Sequence, residues 1–209
     1  MWPQTTDLIE TGASFHQRGW SLGTSSNYSV VLDRDPLRLL STASGRDKGR
    51  LTPEDFLVID ETGAAVDRGG RPDNRPSAEA LLHVASARRP GVGAVLHTHS
   101  VWSTVLSDLH HRAGGLDIEG YEMLKGLAGI VTHEATVRVE IFENTQDIAA
   151  LARQIEARLG DAERPLQHGY LIRRHGLYTW GKDLDEARRH VEIFEFLFEV
   201  LCRKAALLR

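Results

Sequence analysis

The chain has 209 residues, 41% of them hydrophobic, and a formal net charge of −4 at pH 7 that is spread along its length. That supplies one substantial core and gives no reason to expect nucleic acid or an anionic membrane as a partner. No apolar run reaches bilayer length, the start MWPQTTDLIE lacks the features of a secretory signal, and the single Cys202 excludes an internal disulfide, so a soluble cytoplasmic protein is expected. No linker, repeat or low-complexity tract divides the chain, which predicts a single domain over residues 1–209.

In chain order, the segment from Asp7 to about Arg18 reads as a helix ended by RGWSLG. NYSVVLD and LRLLSTASG read as short strands. Thr52 and Pro53 suit the cap and first position of one helical turn, which leads into the strand FLVID. A long polar connection follows. Ser77 is then expected to cap the helix AEALLHVASARR, which stops before Pro90 and Gly91. VGAVLHTHS is a buried strand, VWSTVLSDL a helix, and GYEMLKGLAG a short helix. In ATVRVEIFE, Val137, Val139 and Ile141 alternate as a strand requires. Thr145 to Leu159 reads as helical, and GYLIRRHGLYTWG gives two strands around His175 and Gly176. Asp183 caps a helix running to about Leu207. On it Ala187, Val191, Phe194, Phe198 and Leu201 form an apolar stripe, read as core or subunit contact. Helices that punctuate directly connected strands predict an α/β protein with a mixed, partly antiparallel sheet.

His97 and His99 stand one residue apart at the end of an apolar run. Alternate residues of a strand point the same way, so two imidazoles can converge there as a metal requires. With ten histidines in the chain, chance alone yields such a pair about half the time, so the pair needs further residues to carry weight. Phosphate could be gripped by STASG and RPSAE, which put Ser hydroxyls and backbone N–H groups in turns.

The runs SNYSVV, LLSTASG, RPSAEALLH, VGAVLHTHS and LIRRHGLYTWGKDLDEA, in this order and spacing, resemble the class II aldolase and epimerase family, to which adducin head domains also belong. The resemblance covers residues 12 to 200. It implies a three-layer αβα fold with a central mixed, largely antiparallel sheet. It also implies one zinc ion per subunit held by His97, His99 and His175, a sugar-phosphate substrate, and a homotetramer with sites near subunit boundaries. The other seven histidines carry no such pattern and are read as surface or core residues.

By position the resemblance assigns phosphate contacts to Asn27, Ser44, Gly45 and Ser77, with Lys48 as a source of charge. Two departures stand out. Ser26 precedes Asn27 where the family has Gly, and Ala78 replaces a second serine. EMLKG and RRHGLYTWG look most like the family's dehydratases of methionine salvage, which act on 5-methylthioribulose 1-phosphate. Glu122 matches their acid–base carboxylate and is favoured for that role. Glu79, where the aldolases carry theirs, is the second candidate. Trp102, Tyr178 and Trp180 are candidates for a pocket around the methylthio tail. The alternatives are a sugar-phosphate aldolase, a pentulose-phosphate 4-epimerase, and a non-enzymatic module like the adducin head.

Overall fold

The computed structural model describes residues 2–207; Met1, Leu208 and Arg209, at the ends of the expected domain, lie outside them. Helix α1 (Thr5–Gln17) leads to β1 (Asn27–Arg34), β2 (Leu37–Thr42), β3 (Phe56–Asp60) and β4 (Ala65–Asp67). Then come α2 (Ala80–Ala87), β5 (Ala94–Thr98), α3 (Val101–Leu109), β6 (Gly115–Ile118) and β7 (Val137–Phe142). The order closes with α4 (Ile148–Leu159), β8 (Gly169–Ile172), β9 (Gly176–Gly181) and α5 (Leu184–Leu207). Among the described residues no helix is long and apolar enough to cross a membrane.

One nine-stranded sheet runs β4-β3-β2-β1-β5-β9-β8-β7-β6. Every pairing is antiparallel except β7 with β8, so the expected mixed, largely antiparallel sheet is what forms. The parallel pair has α4 between its strands, as a crossover demands. Helices α2 and α4 cover one face, where Leu82, Val84, Leu151 and Ile155 pack on Leu39, Val95 and Tyr170. Helices α1, α3 and α5 cover the other, through Leu8, Phe15, Leu106, Val191, Phe194 and Phe198. The layers are therefore α, β and α.

The α5 stripe is core within its own chain, since Ala187, Val191, Phe194 and Phe198 are wholly buried and Leu201 is partly buried against the same core. The helical face left without a partner is instead on α3, where Val101, Val105 and Leu109 recur every four residues and are 62%, 40% and 55% exposed. Four local expectations differ from what forms. Strand β4 lies inside the expected polar connection, and β6 was not anticipated; with lengths of three and four residues, neither carries a readable period. Helix α4 starts at Ile148 because the Asp147 carboxylate accepts from Ala150 N–H at 2.9 Å and sets the cap there. Ser77 does not cap α2 directly. Its Oγ accepts from Glu79 N–H at 3.1 Å in a turn, and the helix begins at Ala80.

Candidate metal and substrate site

β5 ends in the middle of the sheet, between β1 and β9, and delivers His97 at a fully buried position. His97 Nδ1–H donates to the Leu177 carbonyl at 2.9 Å, so Nε2 is left as the free lone pair. His99 lies beyond the strand rather than in it, and its backbone N–H is tied to Trp20 O at 2.8 Å. His175 comes from the turn between β8 and β9. There Arg174 takes φ 52°, with its N–H on Ser107 Oγ at 3.0 Å. Gly176 explains why the motif reads His-Gly: a Cβ there would collide with the Thr98 carbonyl, holding β9 and its histidine away from β5.

One nitrogen from each of His97, His99 and His175 lies within 4.8 Å of the others. The rings are 4.5 Å (His97–His99), 5.0 Å (His97–His175) and 4.5 Å (His99–His175) apart, centre to centre. Burial, then the neighbouring imidazoles, push His97 well below the usual histidine range. Burial likewise lowers His99 to about 4, with His175 and Lys48 adding to the shift. Both are therefore neutral at pH 7, as ligands must be. His175 also has a buried Nδ1 without a hydrogen-bond partner. Three imidazoles with this geometry can hold a metal ion and leave it open positions.

Glu79 stands at the same point. Its carboxylate is 3.1 Å from His175 Nε2 and 3.6 Å from His97 Nε2. Asn27 sets its orientation, donating from Nδ2 to Glu79 Oε2 at 2.9 Å and to Ser77 Oγ at 3.2 Å. Asn27 is held in turn by His83, whose Nε2 bonds Asn27 Oδ1 and whose Nδ1 bonds Ser29 Oγ at 2.7 Å. Sequence reading passed over His83, although its i+4 spacing from Glu79 puts both on one helix face. Tyr178 lies under His97, stacked at 4.0 Å, and Tyr170 lies under Tyr178 at 5.1 Å. Burial, and then the Glu79 charge, keep the Tyr178 phenol protonated.

The remaining expected residues divide. Ser26 takes φ 70°, so the left-handed turn that favours Gly is kept with a serine in it. Ser44 and Gly45 form a turn, with Ser44 N–H on Arg75 O at 2.9 Å and Gly45 at φ 74°. Lys48 is buried and donates to Arg46 O at 2.7 Å; burial lowers its pKa to about 8. Glu122 is elsewhere. Its side chain is 68% exposed and pairs with Lys125 and with His133 Nδ1, not with the histidine cluster. The aromatic candidates also part. Trp180 pairs in register with Val95, two residues down β5 from His97, and Trp102 sits on α3 under Arg203. Only Tyr178 touches the site.

The family model for the class II aldolase and adducin N-terminal domain matches residues 6–202. The chain belongs to the class II aldolase and adducin family. Within the family it is 51% identical over 193 residues to the methylthioribulose-1-phosphate dehydratase of Marinobacter nauticus, covering 92% of this chain and 89% of that one. To the enzyme of the same name from Pseudomonas aeruginosa it is 49% identical over 196 residues, covering 93% and 91%. Among solved structures, the L-fuculose-1-phosphate aldolase of Thermus thermophilus superposes with a TM-score of 0.74 at 21% identity, covering 100% of this chain and 98% of that one. That likeness shows the class II aldolase fold, and it places the shared architecture across the whole of the described chain.

Proposed function

We propose that this chain is a zinc-dependent hydro-lyase that converts 5-methylthioribulose 1-phosphate to 5-methylthio-2,3-diketopentyl 1-phosphate and water, a step of methionine salvage in the cytoplasm. The observation that carries the reading is a buried three-histidine cluster with a carboxylate against it, in a chain half identical to dehydratases of that name. When bound at His97, His99 and His175, zinc supplies Lewis-acid polarisation of the substrate ketone. Ser44, Gly45 and Ser77 offer hydroxyls and backbone N–H groups to the phosphate, and Lys48 supplies positive charge behind them. Both amide hydrogens of Asn27 are committed to Ser77 and Glu79, so its part is to orient those two groups.

The reaction removes the proton on carbon 3 and expels the carbon 4 hydroxyl, leaving an enol that becomes the diketone. A carboxylate must take the first proton, and an acid must protonate the departing oxygen. Glu122 is assigned this work, with Glu79 fixing the groups beside the metal. Lys125 next to Glu122 holds its carboxyl below the ordinary range, so it enters the cycle ionised, as a base must. Because Glu122 is exposed and pairs with Lys125 and His133 rather than with its own histidines, it is assigned to the site of a neighbouring copy in a homotetramer. The uncovered Val101, Val105 and Leu109 face of α3 supports such an assembly.

One observation favours a second reading, a sugar-phosphate aldolase: it is Glu79, not Glu122, that touches the histidines within one chain. Product analysis by mass spectrometry separates the two. Zinc-loaded protein given 5-methylthioribulose 1-phosphate is expected to yield a product lighter by one water. Cleavage to dihydroxyacetone phosphate and an aldehyde would overturn the dehydratase and promote Glu79.

A further inference from the structure

The segment that carries Glu122 packs on the core through Leu124 and Leu127, with Tyr121 and Ile130 partly buried against the same cluster. Of residues 121–130 only Leu124 and Leu127 are buried. Its directional hold on the body of the protein is made at one residue, Ala128, and at Gly126 two positions before it. Ala128 N–H donates to His190 Nε2 at 3.0 Å, and the Ala128 carbonyl accepts from His168 Nε2–H at 2.7 Å. His190 can accept there because its Nδ1–H is given to Trp180 O at 2.7 Å. The two rings stand 5.5 Å apart at 90°, and both residues are buried. Arg189 Nε–H adds a bond to Gly126 O at 2.9 Å. Gly126 itself is seated on Ile193, where a Cβ would come within 2.6 Å of Cγ1.

From this anchor a series of short backbone bonds runs back to Glu122. Ile130 N–H reaches Leu127 O at 3.1 Å, Leu127 N–H reaches Leu124 O at 3.0 Å, and Leu124 N–H reaches Tyr121 O at 3.0 Å. A 3₁₀ turn of this kind transmits displacement, because each residue is fixed by the one three positions on. Apolar contacts alone would let the segment slide; two directional bonds on one residue, through the peptide units on either side of it, fix its register.

We propose that His168 and His190 are positioning residues for Glu122, a clamp on the backbone of Ala128 that sets where the carboxylate stands. The inference rests on the reading of Glu122 as the acid–base group. His190→Leu keeps the volume and removes both polar functions, whereas His190→Gln restores an acceptor for Ala128 N–H. With zinc-loaded full-length protein, His190→Leu is expected to keep its metal and a KM within about threefold, while kcat falls on the order of tenfold to a hundredfold, the scale of a misplaced group. His190→Gln should recover most of that loss. In a Glu122→Gln background, His190→Leu should cost nothing further.

Arg189→Met, at a half-exposed position, gives the same reading with a smaller fall and no core change if His190→Leu does not fold. A Glu122→Gln enzyme with normal turnover removes Glu122 from the reaction, and the clamp's purpose with it. A slow Glu122→Gln enzyme beside full-speed His190→Leu or Arg189→Met, or losses that simply multiply in the double variant, overturns the clamp alone.

Discussion

His97 and Glu122 both sit in short, readable motifs, yet the structure treats them in opposite ways. His97 is wholly buried, its tautomer is set by Leu177, and its two companion histidines come from the same chain. Glu122 is 68% exposed, and among the described residues its charge is answered by Lys125 and His133. The three histidines meet within one chain; the Glu122 segment is anchored, but its carboxylate pairs with Lys125 and His133 rather than with them. A motif thus specifies what a residue can do without specifying which copy of the fold it does it for.

The comparison breaks most sharply at the histidines. His97→Ala should lose bound zinc, and turnover should fall on the order of 10³-fold or more, because the substrate ketone is no longer polarised. Metal analysis and activity on the same preparation check this. A zinc-replete, active His97→Ala protein would show that the corner is not the metal site.

Next comes Glu122. Glu122→Gln should keep its zinc and lose roughly 10²- to 10⁴-fold in turnover, the range for a positioned acid–base group. Mixing it with His97→Ala is the sharper test. If each site takes histidines from one subunit and Glu122 from the next, random co-assembly of equal amounts regains about a quarter of wild-type activity, since one pairing in four unites two intact halves. No recovery would return Glu122 to its own subunit, or out of the reaction.

Val105→Asp tests the same boundary from the α3 face. A charge at a half-exposed apolar position costs the monomer little but opposes a packed interface. The expected outcome is a lower molecular mass in solution, retained zinc and reduced turnover. An assembly that is unchanged in mass would place the subunit contact elsewhere.

Much of this was legible in the sequence, for identifiable reasons. β5 and β9 are buried on both faces and flanked by breakers, so VGAVLHTHS and GLYTWG declare themselves as strands around the histidines. α5 has enough turns for its period to show. β4 and β6 are too short for any period. The role of Asn27 in holding Glu79 depends on β1 and α2 meeting across 52 residues of chain, which no local pattern encodes. Glu122 was picked out by its motif alone; its exposure and its pairing with Lys125 and His133 are properties of the fold.

The two regions share one acid-labile feature. Burial lowers His83, behind the metal corner, to about 3 and His190, behind the Glu122 segment, to about 4. Each is neutral in the folded chain and protonates nearer the usual value of about 6.5 when unfolded. Between pH 6.5 and 4 the unfolded state binds more protons, so stability is full above that window and falls as the pH drops through it. Thermal melts of metal-free protein should show Tm declining across that range, and His190→Gln should flatten part of the slope. A Tm independent of pH there would mean that neither ring is held neutral by the fold.

The smallest effect belongs to the metal corner and runs toward gain. Ser26 is held at φ 70° immediately before Asn27, in the left-handed region that favours Gly. A left-handed conformation costs a non-glycine residue about 1–2 kcal/mol, while glycine's extra freedom in the unfolded chain costs about 0.5–1 kcal/mol. Ser26→Gly should therefore stabilise the protein by roughly 0.5–1 kcal/mol, a rise in Tm of about 1–4 °C for a chain of this size. Zinc content and kcat should not move, since Asn27 keeps its bonds to Ser77, Glu79 and His83. A Ser26→Gly protein that melted lower would show that the serine relieves the turn rather than straining it. One that lost turnover at unchanged zinc would show that Ser26 helps to aim Asn27, extending the metal corner by a residue.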